Sequence, residues 1–324
     1  MEILFNKDEN GQEEITEILG FLSADFSFER MVTDIELNTP ELIHFISEEV
    51  YLKIVEFYKT ASPTEAEQTK FSDVLKKSQL FILIMAYHDF AGNNDLMHTT
   101  GGRKMNAATD EKTPWDWQIA TDNAALKKKA YKALDQLITA LDKSKLTEWL
   151  ESVAYKKSKA LFVHNTKIFN NRHSINNSEQ LYFRLVPFMA DIELVEICSR
   201  IGEDLHTRLK ASIVPASDFA PLTVLEKSLK ISIEKSIVYK TLEKAYKMFP
   251  VEMFAEKINY KESAKSQSLA RAEVVQYFKE EATEQLKYIE SIIRKIEESK
   301  NETNETTPIN LTPGLEPETK HVDL

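Results

Sequence analysis

Glycine is scarce in this chain, and that scarcity limits the folds open to it more than any other feature. Seven of the 324 residues are glycine, far below the usual share of about 7%. Turn-dense β-sandwiches and glycine-rich nucleotide loops need more, because tight turns and close backbone approaches favour a residue without a Cβ. Lys, Glu, Leu and Ala, which are strong helix formers, are abundant instead. The composition therefore predicts a mainly α-helical protein.

Apolar residues recur at steps of three and four along most of the chain, as they do on one face of an α-helix. Proline and capping signals predict helix starts at Thr39-Pro40, at a Ser62–Glu65 capping box and at Thr113-Pro114. The second of these helices is expected to run to about Phe90, and another helix to span Ser144 to Leu161. The core of the first half is expected to contain these apolar side chains: Phe81, Ile82, Met85, Leu134, Leu137 and Leu141.

The chain divides into three segments by composition and pattern. Residues 1–161 predict an N-terminal helical domain, residues 162–298 a C-terminal helical domain and residues 299–324 a flexible tail. Residues 162–178 alternate and then turn polar, which predicts a β-hairpin or linker between the halves. The tail has too few apolar residues to fold alone. The predicted fold is two helical-bundle halves with minor β-hairpin elements and a disordered C-terminal tail.

Similar short segments recur in the two halves. Arg30 in FERMV and Arg184 in YFRLV are 184 − 30 = 154 residues apart. Ile43 and Ile197 keep this separation, and so do the segments LKKS and LKIS. An internal duplication explains these matches, and chance similarity between helical patterns is the alternative.

A polar segment of 23 residues, Ala91 to Thr113, separates two predicted long helices. Neighbouring antiparallel helices usually need a connection of about 2–8 residues, and longer loops are often binding surfaces. We therefore expect this loop to contact a partner protein, with Trp115 at its base and Trp117 in the core. The expected contact residues are Asn93, Asn94, Asp95, His98, Thr99, Arg103 and Lys104.

Two groups near this loop invite a chemical interpretation, and neither has the required spacing. His88, Asp95 and His98 carry metal-binding side chains, but nothing in their spacing brings three or four ligands together. The segment GGRK from Gly101 lacks the pattern of a phosphate-binding P-loop, and a tight turn is the simpler interpretation. We therefore predict no catalytic residues, no cofactor, no metal site and no enzymatic activity.

Charge and apolar content narrow the classes of partner. The net charge of −11 argues against a nucleic-acid or anionic membrane surface, because phosphates are bound by clustered Lys and Arg. No window reaches the roughly 18 apolar residues of a membrane-spanning helix, and the N-terminus lacks a signal-peptide pattern. Cys198 is the single cysteine and is expected to be buried as a small apolar side chain.

Four segments of the first half together resemble an uncharacterised protein family encoded in tailed phages and prophages of gut bacteria. These segments are LFNKDENG, FERMVTDIE, AYHDFAGNNDLMHTTGGRKM and WDWQIATDNAALKKKAYKALDQLITAL. The similarity covers most of residues 1–150 and is most specific in NNDLMHTTGGRKM. That family occurs among virion structural genes and has no assigned enzymatic activity. The helical plan is also similar to the head–tail connector, or adaptor, proteins that ring the portal of tailed phages.

The resemblance implies a non-enzymatic virion structural protein, a head–tail connector of the neck assembled in the cytoplasm of the bacterial host. It would bind neighbouring subunits through loop 91–113 and the C-terminal tail. The implied partners are portal, tail or neck proteins and further copies of the chain in a homo-oligomeric ring. DNA would pass nearby without specific nucleic-acid binding, and no membrane is involved. A tail-completion protein, a cytoplasmic helical interaction module unrelated to virions and an enzyme with a site on the loop are the alternatives.

Overall fold

The computed structural model describes residues 2–22, 26–94, 96–100, 102–105, 115–249 and 264–304, and over these ranges the chain is mainly helical, as predicted. Two hydrophobic cores hold the chain together. One is formed by side chains between Leu4 and Trp149, and the other by side chains between Leu161 and Ile296. The ring of Phe183 packs against both cores.

The first core is enclosed by seven helices within the described ranges, and the long pair α4 and α5 pack along each other at its centre. These helices are α1 (Gly11–Leu19), α2 (Val32–Ile46), α3 (Glu48–Lys59), α4 (Glu65–Asn94), α5 (Asp116–Ser144), α6 (Thr147–Glu151) and α7 (Val153–Lys159).

The second core has the same plan, with the long pair α12 and α13 at its centre. Its helices are α8 (Thr166–Arg172), α9 (Glu179–Ile192), α10 (Ser199–Ile201), α11 (Glu203–Ala211), α12 (Val224–Met248) and α13 (Ala264–Asn304). A π-helical turn, Glu193–Cys198, joins α9 to α10 without a break in the helix. Both halves thus run through a short helix, an interrupted helix and two long helices.

Helix α4 begins two residues later than predicted. Its capping box is formed by Thr64 and Glu67, whose side chains bond each other's backbone N–H groups at 3.3 and 2.8 Å. The predicted box at Ser62–Glu65 is therefore wrong in register. The helix then buries Val74, Phe81 and Ile82 as its apolar spacing predicts.

Thr39-Pro40 does not start a helix, because both residues lie inside α2. The Thr39 hydroxyl is buried and donates to the carbonyl oxygen of Ile35, one turn earlier, at 2.8 Å. The helix already begins at Val32. The interruption comes at Ser47, whose φ of 79° and ψ of 158° separate α2 from α3.

The β-hairpin predicted at residues 162–178 is wrong. Residues 166–172 form α8, because the Asn165 side chain caps the helix by accepting the Ile168 N–H at 2.8 Å. The apolar residues Phe162, Phe169 and Ile175 of this segment are instead buried in the second core. The predicted helix over 144–161 is also interrupted, at Ser152, which caps α7.

Two further boundaries differ from the predictions. Helix α4 continues to Asn94, so the first four residues of the predicted loop 91–113 are helical. Helix α13 continues to Asn304, so the predicted tail 299–324 begins inside a helix. Residues 305–324 lie outside the described part of the chain.

The two halves meet through polar contacts from α5 and α2 to α9. Asp135 on α5 accepts hydrogen bonds from the Gln180 N–H at 2.8 Å and from the Ser178 hydroxyl at 3.1 Å, at the start of α9. Burial raises the pKa of Asp135 to about 6, although these bonds act in the opposite direction. Arg184 on α9 donates to Glu41 on α2 at 3.3 Å. The division into two domains stays a prediction.

Candidate partner-binding site

The C-terminal end of α4 is held in place by contacts from α2 and from Arg30, which precedes α2 in the chain. The Asn38 amide donates to the Asp89 carboxylate at 2.9 Å. The Arg30 guanidinium donates to the Asn94 side chain at 2.6 Å and lies 5.2 Å from the centre of the Phe90 ring. Asn94 is thereby fixed at the point where the chain leaves the helix. The predicted loop is thus presented from a well-packed base.

Beyond Asn94, two four-residue strands pair antiparallel: β1 (Leu96–Thr99) and β2 (Gly102–Met105). Their backbone register pairs His98 with Arg103 and Met97 with Lys104. Of the predicted contact residues, Asn93 and Asn94 lie on the last turn of α4. The strands carry His98, Thr99, Arg103 and Lys104, whereas Asp95 lies outside the described residues.

Two tryptophans at the start of α5 form the largest exposed aromatic feature of this region. Trp115 is 69% exposed and Trp117 is 60% exposed, and their rings meet edge to face at 6.1 Å. The prediction that Trp117 lies in the core is therefore wrong. The apolar stripe of α5 begins only at Leu126, a little over two turns later. The predicted start at Thr113-Pro114 lies outside the described residues, and α5 begins at Asp116.

The Trp115 backbone fixes the start of α5. Its N–H donates to the side-chain oxygen of Gln118 at 3.0 Å. This is the capping-box bond from the N-cap backbone to the side chain three residues later. Downstream, the Lys129 ammonium lies 5.5 Å from the ring of Phe21. The two indoles are thus exposed at a helix end that is fixed by hydrogen bonds. Large rigid aromatic side chains at such positions favour partner binding.

No group of three or more His, Cys, Asp or Glu side chains suited to a metal ion occurs among the described residues. The His88 ring instead faces its neighbour, with Nδ1 3.0 Å from an Asp89 oxygen. Burial and the Asp89 charge together raise the pKa of Asp34. These side chains belong to the packed base of the loop. Cys198 is only half-buried, short of the full burial predicted.

A cleft of about 800 Å³ opens where the two halves meet. Its walls include Phe45, Phe183 and Phe249. Its rim carries the acidic side chains Glu49, Glu148 and Glu151 together with His44, Lys157 and Arg184. Val153 lies at the edge and is 67% exposed.

Arg184 fixes one wall of the cleft. Its guanidinium lies 4.5 Å from the centre of the Phe45 ring and 5.7 Å from that of Tyr131. Its Nε donates to the side chain of Gln180 at 3.1 Å, one turn earlier on α9. These contacts place a charge of the second half against two aromatic rings of the first half. In the sequence, Arg184 stands out only because it lies 154 residues after Arg30 in a similar short segment.

The cleft residues come from α2, α3, α6, α7, α9 and the residue that follows α12, which are far apart in the sequence, so no local motif marks them. None of the described helices is both long and apolar enough to cross a membrane. Comparison of the chain with protein-family models, with curated proteins and with solved structures finds no match.

Proposed function

We propose that this chain is a non-enzymatic structural protein of a phage virion, a head–tail connector of the neck, that binds neighbouring subunits through loop 91–113. The sequence resemblance of the first half supports the phage assignment. The exposed pair Trp115 and Trp117 supports the binding role more than any other observation, because about 60–70% of each side chain faces solvent beside the loop. Tryptophan is enriched among the residues that dominate the binding energy of protein interfaces.

The contacts at both ends of the loop support an interaction surface. Arg30, Asn94 and Phe90 hold the end of α4, and Gln118 holds the start of α5. A surface on an ordered base loses less conformational freedom on binding than a free loop does. The acidic net charge of −11 also suits a protein beside passing DNA, since it repels phosphates.

We also propose that the two halves arose by an internal duplication. The positions at which helices are interrupted in each half support this. Ser47 and Gly202 both separate two helices, and their backbone angles are nearly identical, with φ of 79° and 76° and ψ of 158° in each. They are 202 − 47 = 155 residues apart. Arg30 and Arg184, earlier in each half, are 154 apart. One residue is therefore inserted between these two points in the second half.

The π-helical turn Glu193–Cys198 lies between those points and accounts for the extra residue. A π turn is one residue wider than the α-helix and accommodates an insertion without a loop. After it, buried positions match at 155: Val74 with Leu229 and Ile82 with Ile237. Under this proposal the segments LKKS and LKIS, which are 154 residues apart, are one residue out of register, because a separation of 154 pairs half-buried Leu75 with buried Leu229.

Shortening the loop tests the proposed function. Replacing residues 95–114 by a Gly-Ser linker keeps Asn94 and Trp115 and is expected to leave the helical content and melting temperature close to those of the parent. Light scattering and negative-stain images should then show loss of the ring or of the complex with a neck protein.

The alternatives predict different outcomes of the same experiment. A ring that persists after shortening contradicts the role of the loop. Binding to a tail protein but not to the portal favours a tail-completion protein, and binding only to non-virion host proteins favours the cytoplasmic interaction module. Loss of a catalytic turnover with assembly intact favours the enzyme.

A further inference from the structure

The exposed tryptophans and the cleft lie at opposite ends of α5. Trp115 and Trp117 are at its first residues, and Thr147 and Glu148 of the cleft follow its last residue, Ser144, almost at once. A helix of 29 residues is about 44 Å long. The two features are therefore too far apart to meet within one molecule, although both are aromatic.

The cleft has the size and lining that a pair of indoles would need. Its volume of about 800 Å³ is within the range of about 300–1,000 Å³ that is typical of sites for drug-sized groups. Phe183 and Phe249 line the cleft, are partly exposed and offer ring surface for the edge-to-face contacts that aromatic pairs prefer. The exposed side chain of Val153 extends this apolar surface to the rim.

Charges at the two features are complementary. Between the two indoles, Asp116 is exposed, and Lys157 is exposed on the cleft rim. Neither Asp116 nor Lys157 has an ion pair within the described part of the chain.

We infer that the cleft binds the Trp115–Trp117 pair of a second copy of this chain, with Asp116 beside Lys157 of the neighbour. The contact joins two different surfaces, so each copy can bind one neighbour at each end. A head-to-tail contact of this kind closes into a ring when its rotation allows. This inference rests on the proposed function and identifies the partner of the surface at the loop base.

Two variants, each altered on one surface only, test the contact. Trp115→Ala/Trp117→Ala removes the indoles, and Val153→Arg obstructs the cleft at a solvent-exposed position. Each is expected to lower the affinity between copies at least about 30-fold, because buried tryptophans dominate such interfaces. Each alone should be monomeric by light scattering at concentrations where the parent assembles.

An equimolar mixture of the two variants provides the decisive measurement. Each retains one intact surface, so the mixture should form dimers with one copy of each variant and nothing larger. Val214→Arg is the matched control, because Val214 is 85% exposed and is not among the residues lining the cleft. It should assemble like the parent.

Charge reversal checks the register of the contact. Asp116→Lys and Lys157→Asp should each weaken assembly, and the chain carrying both should recover it, since every contact then has a new opposite pair. A parent chain that is monomeric at all accessible concentrations overturns the inference. So does a mixture of the two single-surface variants that stays monomeric.

The outcome is separable from that of the proposed function. If loop shortening abolishes assembly while both single-surface variants assemble normally, the proposed function stands and this inference is wrong. If a small apolar probe such as anilinonaphthalene sulfonate binds the cleft equally in the monomer and in the ring, the cleft is open in the assembly and the inference is again overturned.

Discussion

Replacing Ser47 by glycine is expected to stabilise the protein, although glycine inside a helical segment usually has the opposite effect. Ser47 joins α2 to α3 with φ of 79° and ψ of 158°. This region of the backbone map is almost confined to glycine, and a residue with a Cβ is destabilised there by about 1–3 kcal/mol. Gly202 occupies the same conformation at the corresponding place in the second half.

The net gain is smaller than the strain that is relieved. Glycine increases the freedom of the unfolded chain, which offsets about 0.4–1 kcal/mol. Removing the side chain changes the free energy of unfolding little. The Ser47 hydroxyl is buried near the Glu49 carboxylate and makes no hydrogen bond of normal geometry. Ser47→Gly should therefore add about 1 kcal/mol to the free energy of unfolding, or roughly 2 °C in melting temperature.

Urea unfolding followed by tryptophan fluorescence reports on the first half, which contains Ser47. All three tryptophans precede residue 150, and Trp149 is fully buried in the first core. Ser47→Ala is the matched control, because it removes the hydroxyl and keeps the strain, and it should leave the midpoint nearly unchanged. Gly202→Ser should lower stability by about 1–2 kcal/mol in circular dichroism, although no atom within 4 Å obstructs a Cβ there.

A Ser47→Gly protein that unfolds at a lower urea concentration than the parent contradicts the strain argument. If Ser47→Ala is destabilised to the same extent, the hydroxyl makes a bond that stabilises the fold. If Gly202→Ser is neutral, the positive φ itself carries no penalty in this helix connection, and the structural equivalence of the two positions loses its energetic support.

Three other predictions concern contacts within and between the halves. Because burial raises the pKa of Asp135 from 3.8 to about 6, its contribution to stability is complete below about pH 3.8 and is lost as the pH rises through 6. Asp135→Asn, which keeps an acceptor for the Gln180 N–H, should add about 2 kcal/mol near neutral pH and flatten the pH dependence of thermal unfolding between pH 4 and 6. Arg172 donates two hydrogen bonds, of 3.0 and 2.7 Å, to Glu234, which is 5% exposed. Arg172→Ala should therefore lower the unfolding free energy by about 3 kcal/mol in urea titrations, and adding Glu234→Gln should restore part of the loss. Truncation after Asn304 should leave the melting temperature within about 1 °C of the parent, whereas truncation after residue 290, which removes buried Ile292 and Ile296, should lower it clearly in calorimetry.

Helix identity could be predicted from the sequence because it depends on local spacing. Leu134, Leu137 and Leu141 recur at helical intervals, and all three are buried. The polar and apolar pattern at 162–178 suggests strands, but Phe162, Phe169 and Ile175 reach the core from a short helix and its flanks. Strand-like alternation and a short capped helix give similar patterns over so few residues.

Helix interruptions could not be predicted, because the apolar stripe continues across them. The steps from Ile46 to Val50 and Ile54 fit one helix, yet Ser47 divides that stretch between α2 and α3. Pro40 predicts a helix start because proline favours the first turn, but α2 accommodates it in its interior by forgoing one backbone hydrogen bond.

The candidate sites depended on contacts between distant parts of the chain. The apolar character of Trp117 predicts a place in the core, but its position before the buried stripe of α5 leaves it exposed. The cleft requires Phe45 and Phe183 to be adjacent, and nothing local to either residue indicates this. The loop was recognised because its length and polarity are local properties.

The π-helical turn Glu193–Cys198 has a consequence for which changes in chain length this fold tolerates. Deleting a residue from an α-helix normally rotates everything beyond it by about 100° and exposes the core face. Here Ile192 and Ile197 are both buried, and the turn between them already holds one residue more than an α-helix needs. Loss of Val195, which is 60% exposed, would convert the turn to α-helix and leave both isoleucines inside. We therefore expect the second half to tolerate deletion of one residue at this turn, whereas a deletion in the continuous helix α2 should expose its core face.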